Sequence, residues 1–295
     1  MYLLLGDLDS PICTAILRLL EGKGYNARII ANPLVSPFRF ALRLDTSNSA
    51  SWLTCDDGTH LSDREIEGVL VCEPQQIPTD RWEAADLPYV ERENRAALLA
   101  WLWSLDCPVI NRYPAALWFH PDTPLLFWQV QLQQCGLHAL PSLISNAEQE
   151  THDFVESLGT ETVYAPLTAP ASRYPLQGSF DRYQLAAIQR HMPVHLTQAP
   201  TALQLACVVG SPVVWDGPTP RGADELELAF TRLSALARLP FLEFALTPVA
   251  DGMRVAAVNA FPRIENFGPN AQHGIATAVV QLLTRPEIFK AEPTT

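Results

Sequence analysis

The stretch that most constrains this chain lies near its C-terminus. Leu239 to Gly268 reads LPFLEFALTPVADGMRVAAVNAFPRIENFG. Two apolar runs flank Asp251-Gly252, and both of those residues tolerate the positive φ of a tight hairpin turn. Strict alternation puts Phe241, Glu243 and Ala245 on one face of the first strand. It puts Met253, Val255, Ala257 and Asn259 on one face of the second. Any function read elsewhere in the chain has to be compatible with this hairpin and with the polar turn after it, Asn259 to Glu265.

At 295 residues the chain is long enough for two or three subdomains around a real core. A hydrophobic content of 48% with 18% charged residues is ordinary for a folded protein. The net charge is −12 and no Lys/Arg cluster occurs, which argues against nucleic acid or an anionic membrane surface as partner. No apolar run approaches the about 20 residues that span a bilayer. The N-terminus, MYLLLGDLDS, has no basic region and reads as a first strand rather than a signal peptide. The six cysteines form no C-x-x-C pair, so no zinc knuckle or dithiol motif is written, and a reducing cytoplasm is the expected compartment. Only two lysines occur, Lys23 and Lys290, one near each end. A function that needs a central lysine is excluded by that count.

Met1 to Leu5, a helix from Pro11 to Gly24 and a strand at Asn26 to Ile30 give a β-loop-α-β start of Rossmann type. The loop GDLDSP lacks the glycines of a dinucleotide fingerprint. Asp7 and Asp9 in it read as turn groups, with metal binding as the less favoured use. Residues 31 to 64 read as irregular, with a hairpin around Asp56-Asp57-Gly58. Ile66 to Cys72 reads as a buried strand, Glu91 to Leu105 as a helix and Pro108 to Asn111 as a strand. Strands then follow at Thr162–Ala165, Val194–Gln198, Gln204–Val209 and Val213–Trp215. Helices are expected at Pro124–Cys135, Ala147–Leu158, Asp181–Arg190, Asp224–Leu239 and Ala271–Leu283. The expected organisation is α/β plus α+β, with a Rossmann-like domain over 1–117, two subdomains over 118–195 and 196–285, and a tail over 286–295.

The element order, with Gly136-Leu137 leading to Pro141-Ser142-Leu143-Ile144-Ser145 and the phrase Tyr89-Val90-Glu91-Arg92-Glu93, resembles the ATP-grasp superfamily. The nearest branch is that of the ribosomal-protein glutamate ligases and the maturases of ribosomally made peptides. The resemblance implies two subdomains enclosing a nucleotide cleft, ATP with Mg²⁺ as cofactors, and carboxylate–amine ligation through an acyl phosphate. It implies an Asp on the first strand of the hairpin and a Glu-x-Asn on the second. It also implies two lysines, a glycine-rich loop and an Arg on a later strand, because phosphoryl transfer is stabilised mostly electrostatically.

This chain keeps the frame and departs from the charges. Asn259 is present, but the Asp and Glu places read Ala245 and Ala257. The helix before Gly136 carries no cation in Pro124 to Trp128, and Ala165 stands where the second lysine should follow its strand. Pro166 to Ala171 contains no glycine, and the Arg place falls near Leu205. Arg173, Arg182 and Arg263, with Glu243, are the candidates for a rearranged active site. Glu243, Asn259 and Glu265 are otherwise the remnants of a vestigial cleft, and no metal site is expected. His191 and His195 are split by Pro193, which argues against a shared metal. Cys13, near a helix start, is a weak nucleophile candidate. Trp118 and Trp128 are candidates for an interface.

Two functions of different class follow from the resemblance, and a third stands beside it. The favoured one is a degenerate ATP-grasp protein without ATP or Mg²⁺, binding a peptide substrate or a catalytic partner in a modification pathway. The alternatives are an active ATP-dependent carboxylate–amine ligase and a small-molecule binding protein.

Overall fold

The computed structural model describes residues 1–35, 37–45, 49–72, 82–120, 125–158, 161–167, 173–176, 178–250 and 252–285. The expected tail 286–295 and the turn residue Asp251 lie outside the described residues. The N-terminal part runs β1 (Tyr2–Leu5), α1 (Pro11–Gly22), β2 (Ala27–Ile30), β3 (Arg39–Leu44), β4 (Ser49–Thr54), β5 (His60–Ser62), β6 (Gly68–Val71), α2 (Leu87–Ser104) and β7 (Val109–Ile110). Strands β2-β1-β6-β7 form a parallel sheet. The continuous apolar character of β1 and β6 fits strands covered on both faces. Leu3, Leu5, Val69 and Val71 join the core of α2. Tyr2, Leu4 and Leu70 point the other way, to Ile16 and Leu20 of α1.

Strands occupy Arg39–Leu44, Ser49–Thr54 and His60–Ser62, where the sequence reads as irregular. They form a three-stranded antiparallel sheet, β3-β4-β5, and the hairpin at Asp56-Asp57-Gly58 is present, with Gly58 at φ 82°. β3, Arg39–Leu44, has exposed and half-buried residues and none that is buried, a weak signal that cross-strand pairing overrides. Arg28 pairs with Asp56 and Asp57, tying that turn to β2.

The chain continues through α3 (Ala115–Phe119), α4 (Leu125–Gln134), β8 (Ser142–Ser145), α5 (Glu148–Leu158), β9 (Thr162–Tyr164), β10 (Tyr174–Pro175), α6 (Gly178–Gln189) and β11 (Val194–Gln198). Strands β10-β9-β11-β8 make a second, antiparallel sheet. β11 runs through the expected 195/196 division, so the second sheet extends to Gln198. The third part is β12 (Gln204–Val209), β13 (Val213–Trp215), α7 (Ala223–Ala237), β14 (Phe241–Val249), β15 (Gly252–Asn259) and α8 (Pro269–Leu283), with sheet order β13-β12-β14-β15. One face of this sheet packs Leu242, Phe244 and Leu246 on Phe230 and Leu233 of α7 and on Trp128 of α4. The other packs Phe241, Cys207 and Val209 on α8, which also contacts α1. The first and third sheets therefore share one helical layer. Trp118 and Trp128 are buried within this core and are not available as an outward interface.

The hairpin departs from strict alternation at one point. Glu243 pairs with Asn259 and Ala245 with Ala257, but Leu246 pairs with Val255. Ala256 is thus an extra residue, a β-bulge. It moves Met253 and Val255 to the face opposite Ala257 and Asn259, where Val255 joins Phe244 and Leu246 in the core. A period-two reading cannot register an insertion inside a strand.

Candidate functional site

The hairpin supplies the site. The register aligns Leu205 on β12 with Ala245 on β14, and Ala245 with Ala257 on β15. The positions for which the sequence resemblance implies an Asp and a Glu, and Leu205, near which it implies an Arg, form one cross-strand row across adjacent strands. Here the row is Leu, Ala, Ala. The next row on the same face is Cys207, Glu243 and Asn259.

Glu243 is buried, and its carboxylate is in use. Oε2 accepts the Arg263 backbone N–H at 2.5 Å and Asn259 Nδ2 at 3.4 Å. Asn259 Oδ1 in turn accepts the Phe261 N–H at 3.0 Å. Burial pushes the Glu243 carboxyl above its usual range, opposed by the Arg263 and Asn259 bonds and reinforced by the Glu265 charge. The structure therefore brings Glu243, Asn259, Arg263 and Glu265 together, and they act as a bracket for the chain leaving β15. Glu265 itself lies on an exposed 3-10 turn, Ile264–Asn266.

The outer edge of β15 faces the second sheet. The Val255 N–H donates to His138 O at 2.8 Å, and the Leu140 N–H donates to Val255 O at 3.1 Å. Arg173, just before β10, donates from Nη2 to Ala256 O at 3.1 Å. It is half-buried, and desolvation lowers its pKa. Among the described residues no carboxylate forms an ion pair with it. His195 on β11 uses Nδ1 on Ala165 O at 2.8 Å, and that carbonyl fixes Nδ1 as the protonated nitrogen. Burial pushes His195 below 6.5; the Ala165 bond opposes this and the Arg173 cation adds to it. Arg182 lies in α6, but its side chain is outside the described residues.

The geometry does not fit Mg²⁺ with a polyphosphate. Divalent magnesium takes carboxylate oxygens in a near-octahedral shell. The two places that would face each other with such oxygens are methyl groups, and Oε2 of the nearby Glu243 accepts the Arg263 and Asn259 donors. No group of three His, Cys, Asp or Glu that could hold a metal occurs among the described residues. His191 lies past the end of α6 and His195 is inside β11, so Pro193 separates them as expected. Cys13 is fully buried with its Sγ 2.8 Å from Cys72 Sγ, which removes it as an accessible nucleophile. Gly6 makes room for that pair, since a Cβ there would lie 2.8 Å from Cys13 Sγ. Asp7 Oδ1 accepts the Asp9 N–H at 3.0 Å, a turn role.

Sequence reasoning missed the joint that fixes the hairpin to the first sheet. Asn111, fully buried at the end of β7, accepts the Phe241 N–H at 2.9 Å. Its Nδ2 lies 2.6 Å from Phe241 O, 3.2 Å from Ala260 O and 3.3 Å from Tyr113 Oη. Tyr113 donates its hydroxyl to Ala260 O at 2.9 Å and stacks on Phe261 with ring centroids 4.1 Å apart. A polar amide at the end of an apolar strand was the available signal. Arg112 between them caps α2, donating to the carbonyls of Leu102, Trp103, Leu105 and Cys107.

Comparison with known sequence families and with curated proteins gives no match. Solved structures do match over nearly the whole chain. Macrocyclase MdnC bound with precursor peptide MdnA from Microcystis aeruginosa MRC superposes with a TM-score of 0.73 at 17% identity, covering 95% of this chain and 99% of that one. A Chryseobacterium gregarium RiPP-associated ATP-grasp ligase, in complex with ADP and a leader and core peptide, gives 0.73 at 11% identity, covering 99% and 97%. A RimK domain ATP-grasp protein from Sphaerobacter thermophilus DSM 20745 gives 0.58 at 15% identity, covering 96% and 98%. These likenesses establish the fold of the chain, which is the one the sequence resemblance implied.

Proposed function

From the premise of an ATP-grasp fold, we propose that this chain is a degenerate ATP-grasp protein that has lost Mg·ATP binding and serves as a peptide- or partner-binding component of a modification pathway. The observation that carries the reading is the apolar row Leu205, Ala245 and Ala257, which spans three strands where charge complementarity to a polyphosphate is needed. One substitution could be repaired by a neighbour. Three in one row, with no lysine between Lys23 and Lys290, leave the anionic phosphates without counter-charge. The frame around the row is nonetheless tightly held, which fits a surface kept for recognition. The structural neighbours crystallised with a precursor peptide or a leader and core peptide support a peptide as the ligand class.

An active ligase with a rearranged site would have to use Arg173, Arg182, Arg263 and Glu243. Glu243 is spent on the Arg263 and Asn259 donors, and Arg173 on the edge of β15. The test is turnover. The purified chain is incubated with Mg·ATP, alone and with acidic peptides, and ADP release is followed by chromatography. No ADP above the uncatalysed background is expected. Peptide-stimulated ADP formation that is lost in Glu243→Gln or Arg173→Gln would establish the ligase instead.

A further inference from the structure

A second site lies away from the hairpin, on the outer face of the second sheet. The groove between α5 and α6 has a volume of about 540 Å³, within the range of small-ligand pockets. Val155 and Leu185 line it with apolar surface. Gln189, only 5% exposed, lines it as well, and its Nε2 has no hydrogen-bond partner among the described residues. Its Oε1 lies 3.2 Å from Thr151 Oγ1, which also lies 2.8 Å from Glu148 O. A hydroxyl has one proton, and the shorter contact takes it. Rotating the Gln189 amide lets Nε2 donate to Thr151 and leaves Oε1 unpaired instead. In either setting at least one half of this buried amide lacks a partner among the described residues, a cost that a matching partner removes.

The mouth of the groove fixes the sign of the ligand. Glu148 lies there, and His152 is paired with Glu156 at 3.2 Å. Among the described residues no Lys or Arg lines the groove, and the chain as a whole carries a charge of −12. The described lining therefore favours a cation over an anion. We propose that this groove binds a compact amide bearing a cationic ammonium and an apolar side chain, the chemistry of an amino-acid amide or of the N-terminal residue of a peptide. The amide of the ligand pairs with Gln189, since an amide presents both a donor and an acceptor. The apolar group covers Val155 and Leu185, and the ammonium faces Glu148. This site stands whether or not the hairpin row binds nucleotide.

The experiment is an NMR titration of the ¹⁵N-labelled full chain with leucinamide, reading the Gln189 side-chain amide signals, assigned by their loss in Gln189→Leu. Leucinamide is expected to shift those signals and the backbone signals of Thr151 and Leu185, while N-acetyl-leucine, which is anionic, does not. Gln189→Leu should weaken binding about tenfold, and Glu148→Gln about fivefold. Ala186→Phe fills the groove and should abolish binding while the far-UV spectrum stays unchanged. A peptide amide beginning with leucine distinguishes the source: tighter binding than leucinamide assigns the site to a peptide end, weaker binding to a small molecule. No shift at about 10 mM leucinamide, an equal response to N-acetyl-leucine, or undiminished binding in Gln189→Leu and Ala186→Phe overturns the proposal.

Discussion

Two ends of the same hairpin have opposite characters. Where it meets the first sheet, Asn111 and Tyr113 take up the Phe241 and Ala260 backbone groups in a fully buried polar network. Where it presents the row Leu205, Ala245 and Ala257, no side-chain polar group is present at all. The joint keeps buried amide and hydroxyl groups, which are tolerated only when each finds a partner. The row carries none of the charges that a nucleotide site would have to desolvate and balance. The two ends of one hairpin thus differ in polarity, one holding a closed polar network and the other a bare apolar row.

The largest expected effect is at the joint. Asn111→Ala leaves the Phe241 N–H and carbonyl unpaired in the core, and should cost about 3 kcal/mol of unfolding free energy in urea denaturation. Arg112→Ala, which uncaps four carbonyls at the end of α2, should cost about 2 kcal/mol by the same measurement. A cost near zero at Asn111 would remove the contrast between the two ends. Adding charges to the row tests the other side. The double variant Ala245→Asp with Ala257→Glu places two carboxylates opposite each other and should lose about 1 kcal/mol without metal. If the frame still has metal-site geometry, Mn²⁺ recovers that loss as a rise in Tm that wild type does not show.

Smaller effects come from the titrating groups. The folded pKa of Glu243 is raised by burial, so its contribution to stability is fully present below its unfolded pKa and is lost as pH rises through the folded value. Glu243→Gln should therefore gain on wild type as pH rises through that window, followed by Tm across a pH series. His195 has a folded pKa below 6.5, so its contribution is present above the unfolded pKa and is lost as pH falls through the folded one. Arg173→Gln removes one of the causes and should move the His195 ring signals to a higher titration midpoint in an NMR pH series. No movement would mean that Arg173 and His195 do not interact across the second sheet.

Much of this was legible in the sequence because the signals were strong. The paired apolar runs around Asp251-Gly252, the amphipathic spacing of α7 and the element order identified the fold at a level that the structural likenesses bear out. Ala245 and Ala257 were readable from the family resemblance as the places where it implies carboxylates, and the register then put them directly opposite each other. The bulge at Ala256 was not legible, because one inserted residue leaves composition unchanged while reversing every side chain beyond it. The β3-β4-β5 sheet was hidden by short strands without a clean apolar alternation. Asn111 was hidden because its partners are backbone groups about 130 and 149 residues away, which no local pattern records. Gln189 and Thr151 are 38 residues apart and meet only when α5 and α6 pack.

The central claim rests on the missing counter-charge, and one measurement reaches it directly. Calorimetric titration of the wild-type chain with Mg·ATP near pH 7 should show no saturable heat up to about 1 mM nucleotide. A saturable, Mg²⁺-dependent heat with micromolar affinity would contradict the account and restore the hairpin as a working nucleotide site.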